Sequence, residues 1–390
     1  MGAMGKTEVE LAQASGHVLR EDLQADRDLP PFNRSTFDGI AIASKAFREG
    51  TRTFAIQGTA LAGSPRLSLD SPEQCVEIMT GSPLPDEADC VVKIEDLKIE
   101  NGQATILDPE QAESGHGIHE LGSDCSKGET LLKAGVTISP KEIAVAASIG
   151  KATVQVSTMP RIAIIATGDE LVPVDSVPEP HQIRRSNDLT LATALNAAGY
   201  TSTTRLHLDD DPSEIEATVS KLLESEDVLI LAGGISKGKR DYLPETLLNQ
   251  GVDRKFQWVS QRPGKPLWFG TFQRDHHDFP VFALPGNPVS CFTCLHRYVL
   301  PALDKWLART PKAQAYAQIQ EETAFHPPLS LFLPAFANFS SDGAYLATPV
   351  PFNTSGDFIS VSKTDGFIEL PKERTHFSKG DTFKFYPWVS

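Results

Sequence analysis

Five short segments concentrate the residue types that bind and transform anions. They are Thr167-Gly168-Asp169-Glu170, Asp209-Asp210-Asp211, Gly233-Gly234-Ile235-Ser236-Lys237-Gly238, Arg262-Pro263-Gly264-Lys265-Pro266 and Leu284-Pro285-Gly286-Asn287-Pro288. Each follows a run that reads as a β-strand, where open α/β sheets bind ligands. Of the 11 Lys and Arg between 184 and 265, seven lie in three expected rim loops, one of them outside these five segments: Arg184 and Arg185; Lys237, Lys239 and Arg240; Arg262 and Lys265. A turn such as Gly233-Gly234 lets backbone N–H groups approach an anion closely. Together these features suit a phosphate-bearing ligand. Carboxylates on the same rim (Asp169, Glu170, Asp241) suit Mg²⁺ bridging phosphates. For a single loop, a solvated turn with a helix cap explains the residues equally well. Five such loops on one rim favour a site. Neither Gly-x-x-x-x-Gly-Lys-Ser/Thr nor Gly-x-Gly-x-x-Gly opening the first helix is present, which argues against a P-loop NTPase or a dehydrogenase.

The elements that must carry these loops alternate from about 160 to 306. Arg161–Ala166, Thr201–Leu208, Asp227–Ala232, Trp258–Gln261 and Val281–Leu284 read as strands. Asn187–Ala198, Pro212–Leu223, Tyr242–Asn249 and Pro288–Leu300 read as helices. This alternation predicts a parallel, doubly wound α/β sheet, and the fully apolar strands suit burial on both faces. Asp209-Asp210-Asp211-Pro212 is partly an N-cap region. Before Pro160 the chain reads as short β-runs broken by turns, with helices at Glu8–Leu19 and Ser139–Ile149. After Thr310 it returns to short β-runs, one at Phe358–Val361, which fit a compact C-terminal barrel or sandwich.

Composition narrows the class. The 390 residues are 40% hydrophobic and 22% charged, ordinary for a multidomain globular protein. A formal charge of −15 makes general binding of nucleic acid or anionic membrane a poor reading. No apolar run approaches the length of a spanning helix, and no secretory signal opens the chain. Five cysteines suit a reduced, cytoplasmic protein. Met1–Gly5 has the look of an appended leader and is set aside.

Two N-terminal segments complete the motif set: Leu29-Pro30-Pro31-Phe32 through Asp38-Gly39, and Met79-Thr80-Gly81-Ser82-Pro83-Leu84-Pro85. With Thr167-Gly168-Asp169-Glu170-Leu171, Gly233-Gly234-Ile235-Ser236…Asp241-Tyr242, Pro263-Gly264-Lys265-Pro266 and Leu284 to Ser290, the chain resembles the MoeA family of molybdopterin molybdenumtransferases, which includes the gephyrin E domain. The match runs from about Val9 to the C-terminus.

The resemblance implies an elongated homodimer of four-domain subunits. A linking domain would span 6–23 and 129–159, a β-rich inserted lobe 24–128, a MogA-like α/β domain 160–306 and a C-terminal β-barrel 307–390. The active cleft would lie between the α/β domain of one subunit and the lobe of the other. The implied reaction inserts molybdate into adenylylated molybdopterin, with Mg²⁺-dependent cleavage of the adenylate and release of AMP. Asp38, Thr80, Glu170 and Asp241 would be catalytic. Glu170, Asp241 and Asp210 would hold Mg²⁺ or position the attacking oxygen. Asp124 would line the lobe side. Lys265 and Ser290, with Pro266, Pro285 and Pro288 of the Pro-rich turns, would bind molybdate, and Arg262 would add charge. Gly233, Gly234, Ser236 and Lys237 complete the substrate loop, and Ser355 is a further candidate. A MogA-like adenylyltransferase is an implied partner.

The chain departs from the family pattern in places. An Arg-rich stretch before Gly-x-Asp is here His119-Glu120-Leu121-Gly122-Ser123-Asp124, Arg262 stands where Lys is usual, and Arg185-Ser186-Asn187 stands for Asp-Ser/Thr-Asn. Lys237, Lys239 and Arg240 add charge on the α/β side. The family's N-terminal helix is largely missing, as in a truncated chain. A MogA-like adenylyltransferase and a non-catalytic scaffold are the competing readings. Cys291-Phe292-Thr293-Cys294 lacks a second ligand pair and reads as core thiols. Asp275-His276-His277-Asp278 reads as a solvated hairpin.

Overall fold

A computed structural model describes the chain except residues 1–2, 109, 111, 236–241, 352–353 and 390. It divides into two compact units. One comprises Met1–Arg20, Gly135–Ser139 and Val154–Ser390, and the other Glu21–Ala134 and Pro140–Thr153.

The first unit is built on a six-stranded sheet. Its strands are β1 (Ile162–Thr167), β2 (Thr203–Leu208), β3 (Val228–Ala232), β4 (Asp253–Phe256), β5 (Trp268–Arg274) and β6 (His277–Leu284). Their spatial order is β2-β1-β3-β6-β5-β4. The first four are parallel. Period-2 geometry sends alternate residues to opposite faces. On one face Ile162, Ile164, Val228 and Ile230 pack against helices α1 (Asn187–Ala197) and α4 (Pro288–Cys294). On the other, Ala163, Ile165, Leu229 and Leu231 pack against α2 (Pro212–Ser225) and α3 (Leu243–Asn249). Asp211 caps α2, accepting hydrogen bonds from the N–H groups of Ser213 at 2.8 Å and Glu214 at 3.1 Å.

The sheet is not parallel throughout. β5 and β6 are joined at Asp275-His276, whose φ angles are 51° and 62°. A turn this tight reverses the chain and cannot make a crossover, so β5 is antiparallel to β6 and β4 antiparallel to β5. The expected hairpin at 275–278 is thus the cause of the mixed edge.

Five strands close the C-terminal part of this unit into a barrel: Ala315–Ile319, Ser330–Phe339, Tyr345–Pro349, Gly366–Leu370 and Thr382–Pro387. Phe358–Val361 is a helical turn and not a strand, because the Asp357 carboxylate accepts from the N–H and hydroxyl of Ser360. Gln261–Arg262, expected as the end of a sheet strand, pairs with Ser330–Leu331 of the barrel. The helix from Pro288 continues through a π-turn at Leu295–Val299 to Trp306.

The N-terminal helix expected at Glu8–Leu19 is absent. Lys6–Glu10 forms a strand paired with Thr153–Ser157, and Gly16, at φ 84°, turns the chain. Met4 and Gly5 belong to the fold: Met4 N–H donates to the Trp306 carbonyl, and the Gly5 carbonyl accepts from Thr158 N–H, both at 2.9 Å.

The second unit contains a mixed six-stranded sheet in the order Cys90–Lys93, Gly39–Ile42, Gln74–Ile78, Thr53–Ala60, Gln103–Ile106 and Leu97–Glu100. Gly39 is required by packing, since a Cβ there would lie 1.9 Å from the Val92 carbonyl oxygen.

Candidate active site at the sheet switch point

Strand order reverses direction on either side of β1, so a crevice opens between the carboxyl ends of β1 and β3. A cavity of about 580 Å³ occupies it. Thr167 at the end of β1 and Glu170 after it, Gly233 and Gly234 after β3, and Pro285, Gly286 and Pro288 after β6 line it. Arg184, Arg185, Ser186 and Asn187 add the entry to α1, and Pro266 and Gly356 close the edge. Four of the five rim segments therefore contribute to one space.

The loops are held by specific contacts. Gly233 N–H donates to the Leu284 carbonyl at 3.1 Å, tying the β3 turn to β6. Asn187 Nδ2 donates to the Gly286 carbonyl at 2.7 Å. Asn287 Nδ2 donates to Ser355 Oγ at 2.8 Å, and Val289 N–H to the Ser355 carbonyl at 3.0 Å. The predicted Ser355 thus braces the Pro285–Pro288 turn from the barrel side. Gly168 lies under the Glu170 carboxylate: a Cβ there would be 2.5 Å from Oε2, and its φ of 141° also favours glycine. His207 Nε2 lies 3.1 Å from the Gly168 carbonyl and props the same turn.

The charges are partly committed. Arg185, expected as a free rim cation, lies 3.3 Å from the fully buried Asp188, which Arg205 also contacts at 3.3 Å. Two guanidiniums on one carboxylate leave the start of α1 with a positive balance, reinforced by its helix dipole. Arg184 Nε donates to the Ser176 carbonyl at 3.1 Å and is exposed at the cavity wall.

Three of the predicted anion-binding residues are elsewhere. Arg262 and Lys265 are exposed on their loop and do not line this cavity, and Ser290 is buried within α4. That loop is nonetheless ordered by the core. Buried Gln261 donates from Nε2 to the carbonyls of Pro263 at 3.0 Å and Gly264 at 3.2 Å, and Tyr298 donates its hydroxyl to Gln261 Oε1. Gly264, at φ 85°, rests on Cys294: a Cβ would lie 2.7 Å from Sγ. Burial pushes the Cys294 thiol up to about 12 and also raises Cys291, so both are inert core groups.

Asp210 is joined to Asp169 through its N–H, which donates to Asp169 Oδ1 at 2.9 Å. Ser236, Lys237 and Asp241 lie outside the described residues. Among the described residues, no group of three or more His, Cys, Asp and Glu could hold a metal ion.

Within the second unit, Asp38 Oδ1 accepts from Thr80 N–H at 2.7 Å and Thr80 Oγ1 at 2.8 Å. These bonds hold its carboxyl below the usual carboxylate range, so it stays ionised. Both residues are exposed. Asp124 and His119 meet at 2.9 Å through Nε2, and Arg34 NH2 approaches His119 Nδ1 at 3.1 Å. Arg34 thus supplies a cation beside the stretch where the family pattern has its arginines. Sequence order hid this contact, because the partners are 85 residues apart.

Comparison with known proteins agrees with this architecture. Residues 2–150 match the MoeA N-terminal region (domain I and II), 163–305 a "Probable molybdopterin binding domain", and 316–388 the MoeA C-terminal region (domain IV). A molybdopterin molybdenumtransferase of Synechocystis sp. is 39% identical over 98% of this chain and 95% of its own length. One from Bacillus subtilis is 33% identical over 97% of this chain and 89% of its own. A crystal structure of a molybdopterin biosynthesis MoeA protein from Pyrococcus horikosii superposes with a TM-score of 0.81 at 28% identity, covering 100% of this chain and 95% of that one. No helix among the described residues is long and apolar enough to cross a membrane. The chain belongs to the MoeA family, the molybdopterin molybdenumtransferases of molybdenum cofactor biosynthesis.

Proposed function

We propose that the substrate of this molybdenumtransferase is adenylylated molybdopterin, and that its phosphate-bearing part occupies the β1–β3–β6 cavity. The observation that carries this reading is the cavity itself: a switch-point crevice with a Gly-Gly turn, the amino end of α1 and Arg184 on its walls, and one carboxylate, Glu170, facing the same space. Preorganised donors of this kind stabilise anionic charge without reorganising during reaction. Molybdate is the second substrate, and AMP leaves as an attacking oxygen bonds to the adenylate phosphorus and the anhydride bond to the molybdopterin phosphate breaks. Lys265, Arg262, Pro266 and Ser290 form the proposed oxyanion region.

Mg²⁺ fits the residues present. It is commonly held by one or two carboxylates together with substrate phosphates and water. Glu170 offers a hard oxygen in the cavity wall, and Asp210 a second on the neighbouring strand end. Asp241 is the third proposed ligand. When bound, the ion would offset charge on the phosphates. Gly168 leaves room for the Glu170 carboxylate, since a Cβ there would lie 2.5 Å from Oε2. The four modules at 6–23 with 129–159, 24–128, 160–306 and 307–390 remain the proposed domain division. A homodimer in which Asp38, Thr80 and Asp124 of one subunit complete the site of its partner, in the cytoplasm and supplied by a MogA-like adenylyltransferase, is part of the same reading.

The test is AMP release from adenylylated molybdopterin with Mg²⁺, with and without molybdate. Molybdate-dependent release that falls at least about a hundredfold in Glu170→Gln supports the reading, as expected for a group acting on developing charge. A folded wild-type chain that releases no AMP overturns it in favour of a non-catalytic binding role.

A further inference from the structure

Thr167 ends an otherwise apolar strand. Ile162 to Ala166 are buried aliphatic residues, and Thr167 closes the run with a hydroxyl at 6% exposure. Its backbone belongs to the parallel ladder opposite Leu208. Its Oγ1 is shielded from solvent and has no hydrogen-bond partner among the described residues. A buried hydroxyl without a partner is costly, and native folds retain few of them. The residue lines the cavity.

Glycines at 233 and 234 leave the space beside this hydroxyl free of side chains. A Cβ on Gly234 would lie 3.0 Å from Oγ1 and one on Gly233 3.5 Å away, so side chains at either glycine would cover it. Gly234 is fixed independently, because the same Cβ would strike Leu243 Cδ1 at 2.7 Å. The nearby Glu170 carboxylate leans on Gly168 and does not satisfy the hydroxyl. Asp188 is matched by both Arg185 and Arg205, so Arg184 and the α1 amino end face the cavity beside the Glu170 carboxylate.

We propose that Thr167 Oγ1 donates a hydrogen bond to a phosphate oxygen of the bound substrate, and that this contact is a determinant of substrate affinity. The inference rests on the reading of the cavity as the adenylate site. Thr167 binds and orients; no bond to it forms or breaks.

The variants are Thr167→Val, which keeps the shape and removes the hydroxyl, and Thr167→Ser, which restores it. In AMP release from adenylylated molybdopterin, Thr167→Val is expected to raise KM roughly tenfold or more, the usual weight of a hydrogen bond to a charged group, with a smaller effect on kcat. Thr167→Ser is expected to recover most of the affinity. Thermal stability of Thr167→Val should equal or exceed that of the wild type, since no partner within the protein is lost. A wild-type KM in Thr167→Val overturns the inference while leaving the adenylate reading intact. So does a lowered Tm in Thr167→Val without a change in KM. Equilibrium titration with the same adenylate needs no turnover: if the wild type binds but releases no AMP, a tenfold weaker Kd in Thr167→Val still upholds the inference. A wild type that neither binds nor reacts overturns both.

Discussion

Gln261 should be the most sensitive single residue behind the Pro263–Pro266 loop. Its amide makes three contacts to oxygen in a site 2% exposed, two donated to the carbonyls of Pro263 and Gly264 and one accepted from the Tyr298 hydroxyl, besides a longer one from Nε2 to Cys294 Sγ at 3.6 Å. Burial pushes the Tyr298 hydroxyl up to about 12, so it remains a donor across the working range. Gln261→Met keeps the length and much of the volume while deleting all three bonds. At about 1 kcal/mol per bond the cost is about 3 kcal/mol, with more if the stranded carbonyls cannot reach water. Tyr298→Phe deletes one bond and should cost about 1 kcal/mol. In a unit of this size that ratio corresponds to Tm losses of about 6 °C and about 2 °C. Differential scanning calorimetry on the full chain, read at the transition of the α/β and barrel unit, measures both. Gln261→Met should also raise the molybdate concentration needed for half-maximal AMP release, because Lys265 and Pro266 lose their anchor. A Gln261→Met loss no larger than that of Tyr298→Phe would show that the carbonyl contacts contribute nothing.

Two further outcomes concern protonation. Thr80→Val should return the Asp38 carboxyl toward its ordinary range; because its folded pKa is depressed, any stabilisation it gives exists above the unfolded pKa and disappears as pH falls through the folded one. A carbon-13 titration of Asp38 that is identical in Thr80→Val and wild type would contradict this. Burial lowers His296 to about 4, and its ring lies 2.9 Å from both the Phe292 carbonyl and the Val389 N–H. Its unfolded pKa is near 6.5, so stability should decline as pH falls from about 6.5 to about 4, by up to roughly 3 kcal/mol. Titration of this ring near 6.5 by NMR would refute the assignment.

The central sheet is legible from sequence because Ile162–Ala166 and Val228–Leu231 are continuous apolar runs, and their carboxyl ends name the loops that line the cavity. The cap at Asp211 is equally legible, from a carboxylate directly before Pro212. The antiparallel edge is legible only at its turn: apolar patterning carries no strand direction, and the direction comes from the hairpin expected at Asp275-His276-His277-Asp278. Phe358–Val361 has a strand-like composition, and the Asp357 cap overrides it within one turn. In the site, residue type located Glu170, Gly233 and Gly234. Thr167 and Asn187 stand inside quoted motifs but, like Arg34, carry no individual role in the sequence, because their roles depend on partners far along the chain or on the lack of one. The one available signal was a hydroxyl closing an apolar strand at Thr167.

The brace through Asn287 and Ser355 has a consequence for how this chain can be taken apart. The turn after β6 is shaped from two directions, by Asn187 at the start of α1 and by a loop of the barrel. The α/β module therefore does not own the rim of its cavity outright. A copy of residues 160–306 detached from the barrel would keep its sheet and helices but lose one of the two supports of that turn. Recombining modules between relatives would succeed or fail on whether a donor barrel presents a hydroxyl and a carbonyl at the place Ser355 occupies. Inheritance of the barrel with the site is thus written into the two bonds at Ser355, alongside the strand pairing at Gln261–Arg262 and the packing of Phe292 against Phe358 and Trp388.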